Sequence, residues 1–95
     1  MVSSKVRFNW LSSDGEVYAY LSWPASGECN IHEFVVETRV QSYGRAALAE
    51  LRPLYEVLRA VHWANDHSTL EFWLAMAREN LIDVVLDANG APIWQ

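Results

Sequence analysis

Cys29 and His32 lie three residues apart, the spacing of half a metal site, and His62 and His67 could add two nitrogen ligands. A structural zinc site needs four ligands of the right type. His62 and His67 miss the i, i+4 spacing that puts two ligands on one helix face. The plainer reading is a small buried thiol beside a strand histidine. A Cys–His nucleophilic pair has no local signature behind it.

Other catalytic patterns are equally incomplete. His32-Glu33 has the wrong order for the His-x-Glu of zinc deaminases, and no Pro-Cys-x-x-Cys follows it. The four glycines are scattered and build no phosphate loop. Asp83 and Asp87 share a strand face if that strand extends far enough, and Asp66-His67 falls in a loop; loose carboxylates of this kind occur in most domains. The expectation is a non-enzyme with no cofactor and no metal.

Two surfaces stand out instead. Arg45, Arg52 and Arg59 recur every seven residues, and Trp63 follows Arg59 at i+4. On one helix they form a basic row opposite a leucine stripe, able to clamp an acidic partner with support from the indole. The alternative is a solvated face held by Arg52–Glu56 and Glu56–Arg59 pairs. On a second helix Phe72 and Met76 sit one turn apart, off the Leu70–Leu74–Leu81 stripe. With Glu71, Glu79, Asp83 and Asp87 around them they form an apolar patch with an acidic rim, the leading partner-binding site. Tyr18, Tyr20 and Ser22 share the outer face of a strand beside Glu16, Glu33 and Glu37. That charge favours protein contact or helix cover over stacked bases.

The elements that carry these residues follow from hydrophobic period. Val6, Phe8 and Trp10 alternate with Arg7 and Asn9; Val17, Ala19, Leu21 and Trp23 alternate with Tyr18 and Tyr20; Phe34, Val36, Thr38 and Val40 alternate with Glu33, Val35, Glu37 and Arg39. Turn clusters at Ser12–Gly15 and Pro24–Gly27 separate the three runs. Short connections between three strands predict an antiparallel meander. From Gly44 to Ala64, Ala47, Leu51, Leu54, Leu58 and Val61 recur at 3.6-residue spacing and predict a helix, kinked or split at Pro53. Ser68-Thr69-Leu70-Glu71 fits a capping box that opens a second helix. Ile82, Val84 and Leu86, a turn at Asp87–Gly90 and the segment Ala91–Gln95 predict a strand or short hairpin. The expected fold is therefore one α+β domain over residues 1–95. It is a three-stranded antiparallel meander followed by two helices and a C-terminal strand or short hairpin, in the order β-β-β-α-α-β.

Composition bounds the function. The chain has 95 residues, 52% of them hydrophobic, with five Trp and four Tyr, too apolar for disorder and too aromatic for one small interior to hide everything. Net charge is −5, distributed as −2 over residues 1–43, +1 over 44–64 and −4 over 65–95. That balance makes direct nucleic-acid binding by a basic surface an unsuitable reading. A single cysteine excludes an internal disulfide, and no apolar run reaches signal-peptide or membrane-span length, so the expected compartment is the cytoplasm. The leading expectation is a small acidic interaction module that binds and blocks a partner with a basic surface. Phage anti-defence inhibitors of nucleic-acid-handling proteins and toxin-immunity proteins are of this type by size and charge. A homo-oligomeric structural or assembly subunit is the alternative, and a small enzyme or ligand-binding domain using Cys29, His32, His62 or His67 the third.

Overall fold

Strand alternation governs the first third of the chain. The computed structural model describes residues 6–12, 15–38, 43–62 and 67–95, and the structural statements below concern these. β1 (Val6–Ser12), β2 (Gly15–Ser22) and β3 (Glu28–Thr38) form the antiparallel meander that the pattern predicts. Gly27, at φ +78°, closes the β2–β3 connection in a conformation that L side chains rarely adopt, and its carbonyl accepts the N–H groups of Glu56 and Val57 at 2.8 and 3.1 Å. Pairing of β2 with β3 shifts at one point: Tyr20 faces Glu33 and Leu21 faces Ile31, so His32 is the extra residue of a bulge.

The second half departs from the expected order. The long helix predicted over Gly44–Ala64 ends early, as α1 (Tyr43–Leu51) followed by a single 3-10 turn at Arg52–Leu54. Pro53 supplies no N–H to continue the ladder, and Tyr55 is already extended at φ −134°, ψ 145°. Val57–Val61 then forms a strand, β4, whose burial alternates residue by residue. Leu51, Leu58 and Val61 fit a helical stripe in sequence, but Leu58 and Val61 belong to β4. Leu54, at the centre of the expected stripe, is 65% exposed.

α2 spans His67–Arg78, β5 spans Val84–Leu86 and β6 spans Pro92–Trp94. The helix starts one residue before Ser68, whose expected capping side chain lies outside the described residues. Its C-terminus is a Schellman cap: Asn80 takes φ 63°, Leu81 N–H bonds Met76 C=O, and Asn80 N–H bonds Ala77 C=O, both at 3.0 Å. Leu81, expected on the helix stripe, thus follows the cap.

The result is an α+β fold with one six-stranded mixed sheet in the order β1-β2-β3-β4-β5-β6 and two helices. β3–β4 and β4–β5 are parallel; β5–β6 is the short antiparallel hairpin. Two successive parallel crossovers running the same way along the sheet place both helices on one face when right-handed. The packing agrees: a Cβ on Gly44, in the first turn of α1, would lie 3.3 Å from Phe34, Val36 and Phe72 together. Between sheet and helices lies the core, with Leu21, Ile31, Leu48, Leu51, Leu58, Trp73, Ile82 and Val85 at 1% exposure or less. Among the described residues no helix is long and apolar enough to cross a membrane.

Candidate functional site

The residues singled out for chemistry do not converge. Cys29 pairs with Leu58 on the helix-covered face and is fully buried. Burial pushes its thiol up to about 11, against a smaller opposing effect from its hydrogen bond with Tyr55, so it is neutral at physiological pH. His32 sits on the opposite face, its Nε2 2.6 Å from Ser22 Oγ. Strand parity therefore parts the two residues that sequence spacing joins. His62 follows β4 and is buried, with no hydrogen-bond partner for Nδ1. The side chain of His67 lies outside the described residues. Among those residues no three His, Cys, Asp or Glu side chains are grouped to hold a metal ion.

Nor is the expected apolar patch at the surface. Met76 is 4% exposed and belongs to the core; Phe72 is half-buried, stacked on Phe34 at 5.8 Å and edge-on to Trp73 at 5.1 Å. With both helices on one face, the flank of α2 that carries Phe72 meets the first turn of α1, where Gly44 leaves room for the ring. The chain covers both flanks itself.

Two members of the expected arginine row pair with two members of the expected acidic rim. Arg45 pairs with Glu79 at 2.5 Å, and Arg52 makes a two-point contact with Asp83, whose second bond measures 2.8 Å. Arg59 pairs with Glu28 at 2.7 Å. The three arginines lie on α1, the 3-10 turn and β4, so the seven-residue row does not exist as a surface, and Trp63 lies outside the described residues. Hydrogen bonding from Arg52 holds the Asp83 carboxyl below its usual range and raises the Arg52 guanidinium in turn. Asp83 also accepts the Leu58 N–H at 2.8 Å, tying the loop before β5 to β4. Asp87 is likewise engaged: its Oδ1 accepts the N–H groups of Asn89 and Ala91 at 2.9 Å, ordering the β5–β6 turn.

What remains is the sheet face turned away from the helices. Parity puts Tyr18, Tyr20, Ser22, Val35, Arg59 and Val84 on it, because each neighbours or pairs with residues opposite in phase to the buried Ala19, Leu21, Ile31, Ala60 and Val85. Val57, Val61 and Leu86 complete an aliphatic stretch; all are half-buried. Toward β1 the face becomes aromatic. Tyr18 and Tyr20 meet edge-on at 6.2 Å, and the Arg7 guanidinium lies 3.9 Å above the Tyr18 ring while reaching Glu16 at 3.3 Å. At its middle Ser22, His32, Asn30, Arg59 and Glu28 form a polar strip, with Arg59 bonded to both Glu28 and Asn30. The Ser22–His32 contact has the distance of a nucleophile–base pair, but Ser22 is buried within a strand, and the bond bridges the bulge. Sequence alternation signals Tyr18, Tyr20 and Ser22, and parity from Cys29 and Ile31 turns His32 the same way; nothing in spacing signals the bulge itself.

No protein-family model, curated protein or solved structure matches the chain. The functional reading rests on this geometry.

Proposed function

We propose that the chain is a protein–protein interaction module that acts by covering a partner's surface, and that the open sheet face is its contact. The carrying observation is the joining of half-buried Val35, Val57, Val61, Val84 and Leu86 to Tyr18 and Tyr20 on a face that neither helix covers. Tyr and Arg set among aliphatic side chains resemble the composition of interface centres. A net charge of −5 and the exposed Glu33 on this face favour a partner with a basic surface. Blocking a nucleic-acid-handling protein, in the manner of phage anti-defence or toxin-immunity proteins, is the activity that this size and charge suit. Such a module needs no catalytic step and no cofactor. Its one buried, neutral thiol is at ease in a reducing cytoplasm.

Affinity capture from the native host, at low and high salt, tests this reading. Val84→Lys and Tyr20→Ala should release the captured protein while leaving the denaturation midpoint nearly unchanged. A partner retained by both variants moves the contact off this face.

A ligand-binding domain is the second reading, and one observation favours it. Each parallel crossover enters its helix from the carboxyl end of its strand, β3 or β4, and just past the end of β4 the buried His62 Nδ1 lacks a partner. Helix amino termini receive anions. Titration with inorganic phosphate should then shift the amide resonances of Gly44 and Arg45; unshifted resonances remove this reading.

A further inference from the structure

We propose that β1 is a dimerisation edge, through which two copies pair antiparallel about a two-fold axis beside Asn9 and join their sheets. Among the described residues the six-stranded open sheet has two edges, β1 and β6. They are built differently. β6 has three residues and opens with Pro92, which has no N–H to offer a neighbour. β1 has seven residues, no proline, and an unbroken register with β2 along its whole length. Natural sheets blunt their edges with shortness, proline, bulges or charge. β6 uses two of these devices. The one charge on β1, Arg7, is drawn back over its own sheet by the Tyr18 ring and Glu16.

The apolar surface beside the edge is continuous with it. On the helix side, Val6 is 47% and Phe8 42% exposed. Between Phe8 and the end of α1 lies a groove of about 240 Å³ whose far wall is Leu54, 65% exposed. A strand edge extended by such a groove gives a contact broader than the ladder alone.

The occupant that fits is a second copy of this chain. A two-fold at Asn9 sets Phe8 opposite Trp10 of the other copy and Arg7 opposite Leu11. Positions of equal parity therefore meet, and the helix-side faces of the two sheets run on into one another. The two Arg7 residues end up four positions apart, roughly 14 Å along the strand, beyond the screening length at physiological salt. Head-to-tail pairing of β1 with another copy's β6 would grow an open filament, and Pro92 with the brevity of β6 opposes it. The isologous pairing closes at two.

Sedimentation of the full chain from about 1 to about 300 µM, a span that captures weak homodimers, tests the proposal. The expected species at the upper end has twice the 10.9 kDa chain mass. Leu54→Lys, which lies off the strand, should raise the dissociation constant about tenfold or more, and Phe8→Lys should leave monomer. Should Phe8→Lys fail to fold, hydrogen exchange of the unmodified chain replaces it: amides within 6–12 should gain protection with concentration. A chain that stays monomeric throughout overturns the proposal. So does a dimer indifferent to Leu54→Lys and unprotected at 6–12, or one dissolved by Val84→Lys, which would place the contact on the open face. None of these outcomes bears on binding of a different protein by that face.

Discussion

The two faces of the sheet are made from the same strands and differ by one residue in phase. On the helix side, Ala19, Leu21, Cys29, Ile31, Leu58, Ala60 and Val85 are apolar and buried, and even the thiol is kept neutral. On the open side, aliphatic residues alternate with Tyr, Arg, Glu, Asn, Ser and His, most of them half-buried. Under the proposed contact, stability and recognition are therefore separable by parity. A substitution inside one face should cost folding energy, and its neighbour one position along the strand should cost little.

The largest effect belongs to Trp73, which is 1% exposed and touches both Phe34 and Phe72. Trp73→Ala should lose about 3–5 kcal/mol, the usual range for a buried aromatic, read as a lowered urea midpoint. A loss below about 1 kcal/mol would mean that the helix layer packs more loosely than the covered face implies.

Asp83 comes next, because it joins the elements of the covered side rather than filling them. Asp83→Ala strands the Leu58 N–H and leaves Arg52 unpaired, a loss of roughly 1–3 kcal/mol. The effect also has a pH signature. Arg52 lowers the folded pKa of Asp83 below its ordinary 3.8, so the contribution is complete above that value and fades as pH falls through the lowered one. Asp83→Asn should flatten the acid limb of the stability profile below about pH 4; an unchanged limb would assign it to other carboxylates.

These contacts explain where sequence reading succeeds and where it stops. Val17, Ala19 and Leu21 reveal β2 because alternation over a full strand has one interpretation. Leu51, Leu54, Leu58 and Val61 satisfy a helical period, but past Pro53 burial alternates, with Leu58 and Ala60 inside and Val61 on the opposite face; only the proline marks the change, and its missing N–H decides. Phe72 and Met76 read as surplus apolar residues while both helices are imagined on separate surfaces. Once the crossovers stack α1 and α2 on one face, Met76 becomes interior and Phe72 half-buried against Phe34 and Trp73. Arg45 and Arg52 look like rivals of Glu79 and Asp83 because they lie 34 and 31 residues from them, a distance no local pattern bridges. Tyr18 and Tyr20 are the part of the open face that alternation does expose.

Cys29 gives a smaller test of the covered face, at the alkaline end. Its folded pKa of about 11 stands above the unperturbed 9.0, so the folded chain holds the proton more tightly than the unfolded chain. The associated stability is whole below pH 9 and is lost as pH rises toward 11. The alkaline decline over that window should shrink in Cys29→Ala, and a thiol reagent at pH 8 should react only as fast as the chain opens. Rapid labelling of the folded chain would place the thiol at the surface and break the contrast between the faces.

The smallest expected effect lies on the open face. Tyr18 is half-buried under the Arg7 guanidinium, 3.9 Å from the ring centre, and edge-on to Tyr20. A cation–π contact at an accessible site is worth about 0.5–1 kcal/mol. The Arg7–Glu16 pair beside it, with both side chains well exposed, adds little. A double-mutant cycle of Arg7→Ala and Tyr18→Ala should therefore return a coupling of no more than about 1 kcal/mol. Each single variant should keep its cooperative unfolding. Yet Tyr18 occupies the aromatic end of the proposed contact, and truncation of a tyrosine that acts as a hot spot costs about 2 kcal/mol or more of binding. The discriminating result is the ratio: a stability change within about 1 kcal/mol together with a partner affinity lowered tenfold or more. If Tyr18→Ala instead destabilises the fold as much as Trp73→Ala does, the open face is a second core surface and parity does not divide stability from recognition.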